Sequence, residues 1–312
     1  MTSSVLEPVA AVQSGMLLGI DLETHRLCPT AVLPRAVCVT QAVRSGDSVQ
    51  TDLVSNGDGE AFFATLEGAL DDVIAGSVRL VGHNLGGFDL PDVYANFPCL
   101  ISKIFRALET GRIHDTMVRE KLLNLADHGQ IDDLYLPDGS SKKIKYGLEH
   151  LVARHLGFDR AGAKDKDAED RWQLNFGQLD GVPSARYPRD AAEYAQTDAQ
   201  DALLVFEAQE RLAAQKFRGA IEHDRKPFDV FLTEPLHVGA MFCLSLMTAV
   251  GFRIDQAEVA RIKAKVLGEL TPERAQVLVD AGRLTPAQPA RPYKNGAKAS
   301  DGTPRMVPPE PE

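Results

Sequence analysis

Acidic residues stand in three separate stretches whose types and spacing could support chemistry together. In the first, MLLGIDLE, an apolar run from Met16 reaches Asp21 and Glu23, which are separated by one residue. Alternate residues of a β-strand point to the same face, so both carboxylates would project together. Two acids this close repel each other and bind protons more tightly unless a cation lies between them. The pair therefore indicates either a metal site or a strand end that turns into solvent.

The second stretch is GHNLGGFDL, which follows a predicted buried strand. Asn84 is followed by two glycines that make a close turn, and Phe88 and Asp89 then open a predicted helix. The helix dipole stabilises an acid in the first turn. Asp89 is therefore either a helix-capping residue or a ligand.

The third stretch, EYAQTDAQDALL, places Tyr194 four residues before Asp198 on one predicted helix. Side chains at that spacing share a face, and Asp201 lies one turn further. A solvated helix face is the simpler interpretation of this stretch when it is taken alone.

Taken together, the three stretches would supply four hard oxygen ligands, from Asp21, Glu23, Asp89 and Asp198. Such a set is what two Mg²⁺ or Mn²⁺ ions require. Two ions about 4 Å apart stabilise the attacking and leaving oxygens of an in-line phosphoryl displacement. The Tyr194 hydroxyl, one turn before Asp198, could hold the attacking water.

Apolar periodicity predicts the elements that would position these side chains. Three strands joined by short links indicate an antiparallel meander, followed by a helix with apolar residues at helical spacing. The predicted strands cover 16–22, 35–43, 48–54 and 78–84, and a short strand runs into a helix within 111–129. The other predicted helices cover 59–76, 88–97, 148–157, 188–216, 236–251 and 256–270. We expect a hairpin-like insert over 131–147 and a mobile loop over 158–187.

The amino-acid composition is typical of a globular protein and argues against several classes of protein. The chain has 312 residues, of which 44% are hydrophobic, and a net charge of −10 that argues against coating nucleic acid by bulk charge. Four scattered cysteines argue against a disulfide framework or a zinc ribbon. No apolar stretch is long enough for a membrane span and no signal peptide is evident. We expect a protein of the cytoplasm, bacterial or of a phage-infected host.

The order D-x-E, N-x-x-x-F-D and Y-x-x-x-D resembles the three motifs of the DEDD exonuclease superfamily, in its tyrosine subclass. Position 193 is Glu, whereas the histidine subclass requires His there. The resemblance implies an α/β, ribonuclease H-like fold with a mixed five-stranded sheet flanked by helices, here with a C-terminal helical appendage. It also implies that the four acids bind two metal ions and that Tyr194 orients the nucleophilic water. Asp115, from a segment with an Asp-Thr pair before a helix, would have a structural or supporting role.

Within that superfamily, the spacing is most similar to the proofreading domain of phage family-A DNA polymerases. Residues 233–270 resemble the start of a polymerase thumb, and a generic helical hairpin is the alternative. The sequence stops where the rest of the thumb, the palm and the fingers would follow, so we expect an exonuclease fragment or the exonuclease subunit of a divided polymerase. The expected domains are a flexible leader (1–15), the exonuclease (16–222), the thumb-like helices (229–284) and a Pro-rich, disordered tail (285–312).

The resemblance implies a metal-dependent 3′-5′ exonuclease that proofreads DNA. Its expected partners are a single-stranded or frayed DNA 3′ end and a polymerase chain that carries palm and fingers. Leu22, Asn84 and Phe88 are candidate substrate-binding residues, although core packing is the alternative for Leu22 and Phe88. Lys142, Lys143 and Lys145 could contribute to a basic groove, or could be a solvated charge run. Two other functions stay open: trimming of RNA 3′ ends, and a non-catalytic interaction subunit of a replisome.

Overall fold

A five-stranded mixed sheet organises the first of two compact units, residues 1–251 and 252–312. The computed structural model describes residues 15–26, 33–135, 140–160, 172–217, 228–251 and 255–269. The strands are β1 Met16–Thr24, β2 Ala36–Ser45, β3 Ser48–Ser55, β4 Val78–Gly82, β5 Ile113–Asp115, β6 Asp133–Tyr135 and β7 Ser141–Lys143. The helices are α1 Glu60–Ala75, α2 Asp89–Asn96, α3 Ile101–Glu109, α4 Thr116–His128, α5 Leu148–Leu156, α6 Trp172–Asn175, α7 Arg189–Lys216, α8 Glu234–Val250 and α9 Gln256–Glu269.

The sheet has the order β3-β2-β1-β4-β5. The predicted antiparallel meander of β1, β2 and β3 is confirmed, and β4 and β5 add to it in parallel. The parallel pairing of β1 with β4 ends at Gly19 opposite Val81, whereas its pairing with β2 continues to Thr24. The carboxyl end of β1 therefore extends past β4. The mixed sheet and its flanking helices confirm the α/β fold class, and the predicted helical C-terminal part is present.

The two faces of β1 have different partners. Leu18, Ile20 and Leu22 are 4–5% exposed and pack in the core that includes α1, where burial of each stabilises the fold by roughly 2 kcal/mol. The alternate positions point to the opposite face, which α7 covers. Asp21 and Glu23 are therefore on the α7 face of the sheet.

Within the first unit, a buried charge network holds helix α8 against β5 and α4. Arg119 Nη1 donates to Glu234 Oε2 at 2.7 Å, and the backbone N–H of Asp115 donates to Glu234 Oε1 at 3.0 Å. Burial would raise the pKa of Glu234, but the charges of Arg119 and His114 lower it below its ordinary value. Val238 and Phe242 add fully buried apolar contacts. Removal of one partner from such a buried pair generally costs several kcal/mol.

The predicted loop over 158–187 is wrong for its second half. Residues 172–187 contain α6 and short 3₁₀ turns, and Phe176 is fully buried beside α7. The Gly and Pro residues of this stretch predicted irregular structure, but they only shape turns between apolar anchors. The predicted hairpin insert is confirmed, since β6 and β7 pair in antiparallel.

Several other expectations fall outside the described residues. These are most of the leader, the middle of the 158–187 stretch and the Pro-rich tail. Among the helices that the structure describes, none is both long and apolar enough to cross a membrane.

Candidate active site

The close approach of α7 to β1 builds the site. A Cβ added at Gly19 would lie 2.7 Å from the carbonyl oxygen of Ala199, closer than side chains pack. The buried face of α7 is correspondingly lined by small residues, Ala191, Ala195, Ala199 and Ala202. Because neither surface carries a bulky side chain at the crossing, the helix backbone lies directly on the strand. This contact carries Asp198 to the carboxyl end of β1.

Three of the predicted ligands converge there. Carboxylate oxygens of Asp21, Glu23 and Asp198 all lie within 4.8 Å of one another. Oxygens on opposite sides of a Mg²⁺ ion are about 4.2 Å apart, given Mg–O distances of ~2.1 Å. The three side chains could therefore converge on one hard cation after small rotations, and their chemistry suits Mg²⁺ or Mn²⁺.

The negative charge of this cluster affects its neighbours. Burial, followed by the charges of Glu23 and Asp21, raises the pKa of the Cys38 thiol well above its ordinary range. Cys38 lies opposite Glu23 in the β1–β2 ladder and is fully buried. The thiol therefore stays neutral beneath the carboxylates and does not compete as a metal ligand.

Tyr194 lies at the carboxylates, as its spacing from Asp198 predicts. Burial raises the pKa of its phenol well above the ordinary range, and the charges of Asp198, Glu23 and Asp21 add to the effect. A hydrogen bond to Asp198 acts in the same direction. The ring packs against Phe176, with centroids 6.0 Å apart. The hydroxyl is thus a fixed, neutral hydrogen-bonding group at the cluster.

Asp89 opens α2 and contacts the backbone of β1 between the two acids of the first motif. The backbone N–H of Leu22 donates to Asp89 Oδ1 at 3.0 Å. The side chain is 3% exposed, and burial raises its pKa to about 7, with a smaller contribution from Asp115. The group of mutually close carboxylates found in the described part of the chain does not include Asp89. Its role as a metal ligand stays a prediction, while its contact fixes α2 against β1.

The candidate substrate-binding residues have different environments. Leu22 is 4% exposed and its side chain lies in the core, whereas Asn84 and Phe88 are half-buried in the segment before α2. Asn84 has a positive φ of 59°, which Asn tolerates better than most residues. Its carbonyl accepts the backbone N–H groups of Gly87 and Phe88. This turn sets the direction in which Phe88 and Asp89 leave β4.

Asp115 supports that turn, in agreement with the role predicted for it. Its carboxylate accepts the backbone N–H groups of Asn84 and Gly86 from the turn, and those of Met117 and Val118 at the start of α4. Burial nevertheless raises its pKa to about 6. One side chain therefore caps α4 and also holds the segment that leads to Asp89.

Sequence reasoning missed two residues near the site, Arg160 and Asp92. Arg160 donates two hydrogen bonds, at 3.1 Å each, to Asp201, which is 2% exposed. Asp92 is fully buried, and neither of its carboxylate oxygens has a hydrogen-bond partner. The only sequence signal for Asp92 was an acid one turn after Asp89. Nothing in the pattern around Arg160 distinguished it from a loop residue.

Comparison with known proteins agrees with this geometry. Residues 3–212 match the model of a protein family described as 3′-5′ exonuclease, and the match runs from β1 into the last turns of α7 and includes all three motifs. No curated protein sequence matches the chain. The matched region is more than half of the 312 residues, and the chain belongs to the 3′-5′ exonuclease family.

Proposed function

We propose that this exonuclease hydrolyses phosphodiester bonds at DNA 3′ ends with the help of two Mg²⁺ or Mn²⁺ ions. The observation that carries the proposal is the convergence of Asp21, Glu23 and Asp198 within 4.8 Å, with Tyr194 hydrogen-bonded at its edge. When bound, the ions would polarise the phosphoryl group and lower the pKa of a water molecule. The carboxylates of β1 and α7 would hold the ions, and Asp89 would complete the set.

Tyr194 would position the attacking water. Its pKa is raised well above the ordinary range by burial and by the neighbouring carboxylates, so the hydroxyl remains protonated at neutral pH. A neutral hydroxyl can both donate and accept a hydrogen bond. Because the ring is packed on Phe176, the oxygen loses little freedom when it orients the water. Asn84 and Phe88, in the turn before Asp89, would contact the terminal nucleotide.

The experiment is a nuclease assay on matched DNA and RNA oligonucleotides with Mg²⁺, with Mn²⁺ and with EDTA. We expect metal-dependent shortening of DNA from its 3′ end, and a loss of at least ~10³-fold in Asp21→Ala/Glu23→Ala because the ions lose their ligands. The exposed pair Asp47→Ala/Glu60→Ala changes the net charge equally and should retain full activity.

Each other outcome has a definite meaning. Strong preference for RNA would replace the DNA substrate with an RNA 3′ end. Nuclease activity that survives in Asp21→Ala/Glu23→Ala would show that the site is assigned wrongly. Absence of activity with either metal would favour a non-catalytic subunit.

We further propose that the chain works as the proofreading part of a divided or truncated family-A DNA polymerase. Support comes from the likeness of residues 233–270 to the start of a polymerase thumb, where the structure has α8 and α9. Purification of the tagged full chain from its native source should recover a second chain that carries palm and fingers. Recovery of a fully active nuclease alone would contradict this context without affecting the site.

A further inference from the structure

A basic cleft lies outside the carboxylate site. Its walls are α4, β7 with the segment that joins it to α5, α5 itself and the last turns of α7. Its volume is about 950 Å³, within the range of ligand-binding cavities. Six lysine and arginine side chains line it: Lys142, Lys143, Lys145, Arg154, Arg211 and Lys216. This concentration of cations is notable in a chain whose net charge is −10.

The two acids that line the cleft are already neutralised. Glu120 accepts hydrogen bonds from Arg154 and His155, and although burial opposes ionisation, His155 lowers the pKa of Glu120 to about 2. Asp127 is paired with Lys216 and with His128.

Among the residues that the structure describes, the three lysines before α5 have no carboxylate partner of this kind. Within the described ranges, Lys142, Lys143 and Lys145 form no ion pair with a carboxylate. The cleft therefore presents uncompensated positive charge to an anionic ligand.

Helix α7 connects this cleft with the carboxylate site. Lys216 is 18 residues after Asp198, which is five helical turns, so both residues lie on one line along the helix about 27 Å apart. Ala208 and Leu212, which also line the cleft, lie within about 80° of that line. Along that line Ala202 and Val205 are buried beneath α5, so a strand with its 3′ end at Asp198 would reach the cleft over the outer surface of α5. At the stacked spacing of 3.4 Å, the straight distance alone corresponds to roughly eight nucleotides.

Groups suited to binding a single strand lie near both places. Arg160 is bound to Asp201, one turn after Asp198, and its guanidinium lies 5.9 Å from the ring of Phe158. Phe158 is 56% exposed, and Tyr135, on the strand paired with β7, is 65% exposed. Exposed aromatic rings beside a basic groove are the usual stacking surfaces for single-stranded nucleic acid.

We propose that this cleft binds the phosphodiester backbone of single-stranded DNA on the 5′ side of the 3′ end that is held at the carboxylates. The proposal rests on the proposed function for the position of the 3′ end. The binding of the strand by the cleft can be measured whether or not the chain cleaves DNA.

The first test measures binding of a fluorescein-labelled 20-nucleotide DNA to the full chain by anisotropy, in EDTA so that no cleavage occurs. We expect Lys142→Ala/Lys143→Ala/Lys145→Ala to bind at least tenfold more weakly than the wild type at 0.1 M salt. Loss of three phosphate contacts should also reduce the slope of log K against log salt by about 2. The control Lys103→Ala/Arg106→Ala/Lys263→Ala removes three cations that do not line the cleft, and its affinity should stay within twofold of the wild type.

The second test uses substrate length. A trinucleotide at the carboxylates is too short to reach the cleft, so the lysine variant should degrade it at the wild-type rate and lose efficiency only on the 20-nucleotide DNA. Equal affinity and salt dependence of variant and wild type would overturn the proposal. Lysine-dependent binding of a poly-glutamate peptide, with lysine-independent binding of DNA, would also overturn it in favour of an acidic protein partner. If the wild type binds DNA through the lysines but cleaves none, the proposed nuclease activity is wrong and the proposal that the cleft binds single-stranded DNA is supported.

Discussion

Gly19→Ala tests whether the contact of α7 with β1 sets the geometry of the carboxylates. The new Cβ would lie 2.7 Å from the carbonyl oxygen of Ala199 and 3.2 Å from the Cβ atoms of Ala42 and Leu203. To reach an ordinary contact of about 3.4 Å, the helix backbone must move by roughly 0.7 Å. Asp198, the neighbour of Ala199 on α7, must move with it.

The expected magnitudes follow from this displacement. Overpacking of this kind costs about 1–3 kcal/mol of unfolding free energy. A misplacement of about 1 Å can lower the rate ~10²-fold, so we expect kcat/KM of the variant to fall by a factor between about 10 and 100. Urea unfolding would give the first quantity, and degradation of an end-labelled oligonucleotide with Mg²⁺ would give the second.

Gly68→Ala is the matched control, because Gly68 lies inside α1 and a Cβ there meets no atom within 4 Å. This variant should gain up to ~1 kcal/mol, since alanine favours the helix more than glycine does, and its activity should not change. Wild-type activity and stability in Gly19→Ala would refute the claim that a tight crossing positions Asp198.

Three further substitutions test neighbouring groups. Tyr194→Phe removes only the hydroxyl that we propose orients the water, so it should lower kcat at least ~10-fold with KM within about twofold in a steady-state nuclease assay; an unchanged kcat would exclude that role. Asp115→Ala should lose about 3 kcal/mol in urea unfolding, because four backbone N–H groups lose their acceptor; a loss below ~1 kcal/mol would contradict this. Burial raises the pKa of Asp92 to about 8, so between about pH 4 and 8 the folded state keeps a proton that the unfolded state releases. Over that range, each unit of rising pH therefore lowers the free energy of unfolding by up to ~1.4 kcal/mol. Asp92→Asn should flatten that decline in unfolding titrations from pH 5 to 8, and an identical pH slope would show that Asp92 ionises freely.

Local sequence patterns were sufficient to predict much of the fold. The apolar run of β1 predicted a buried strand, and strand periodicity, which depends only on the backbone, predicted the shared face of Asp21 and Glu23. The spacing of Tyr194 and Asp198 likewise required only the helical repeat. These two features lie on adjacent elements in the structure, so the candidate site follows directly from them.

Contacts between distant segments could not be predicted in this way. The hydrogen bond from Leu22 to Asp89 joins residues 67 positions apart, and the contact of Glu234 with His114 joins residues 120 apart. Phe176 was assigned to a loop because its neighbours are polar, Gly and Pro, yet it is buried beside α7. Whether an isolated apolar residue is buried depends on the surface above it, and that surface is formed only in the folded chain.

The most direct test of the central claim is a Mn²⁺ titration of the full chain, followed by the loss of the free-ion EPR signal. The wild type should bind Mn²⁺, and Asp21→Asn/Glu23→Gln/Asp198→Asn should lose that binding, because three oxygen ligands lose their charge while the shapes of the side chains are kept. Mn²⁺ binding with equal affinity and stoichiometry in both proteins would contradict a metal site at the crossing of α7 and β1.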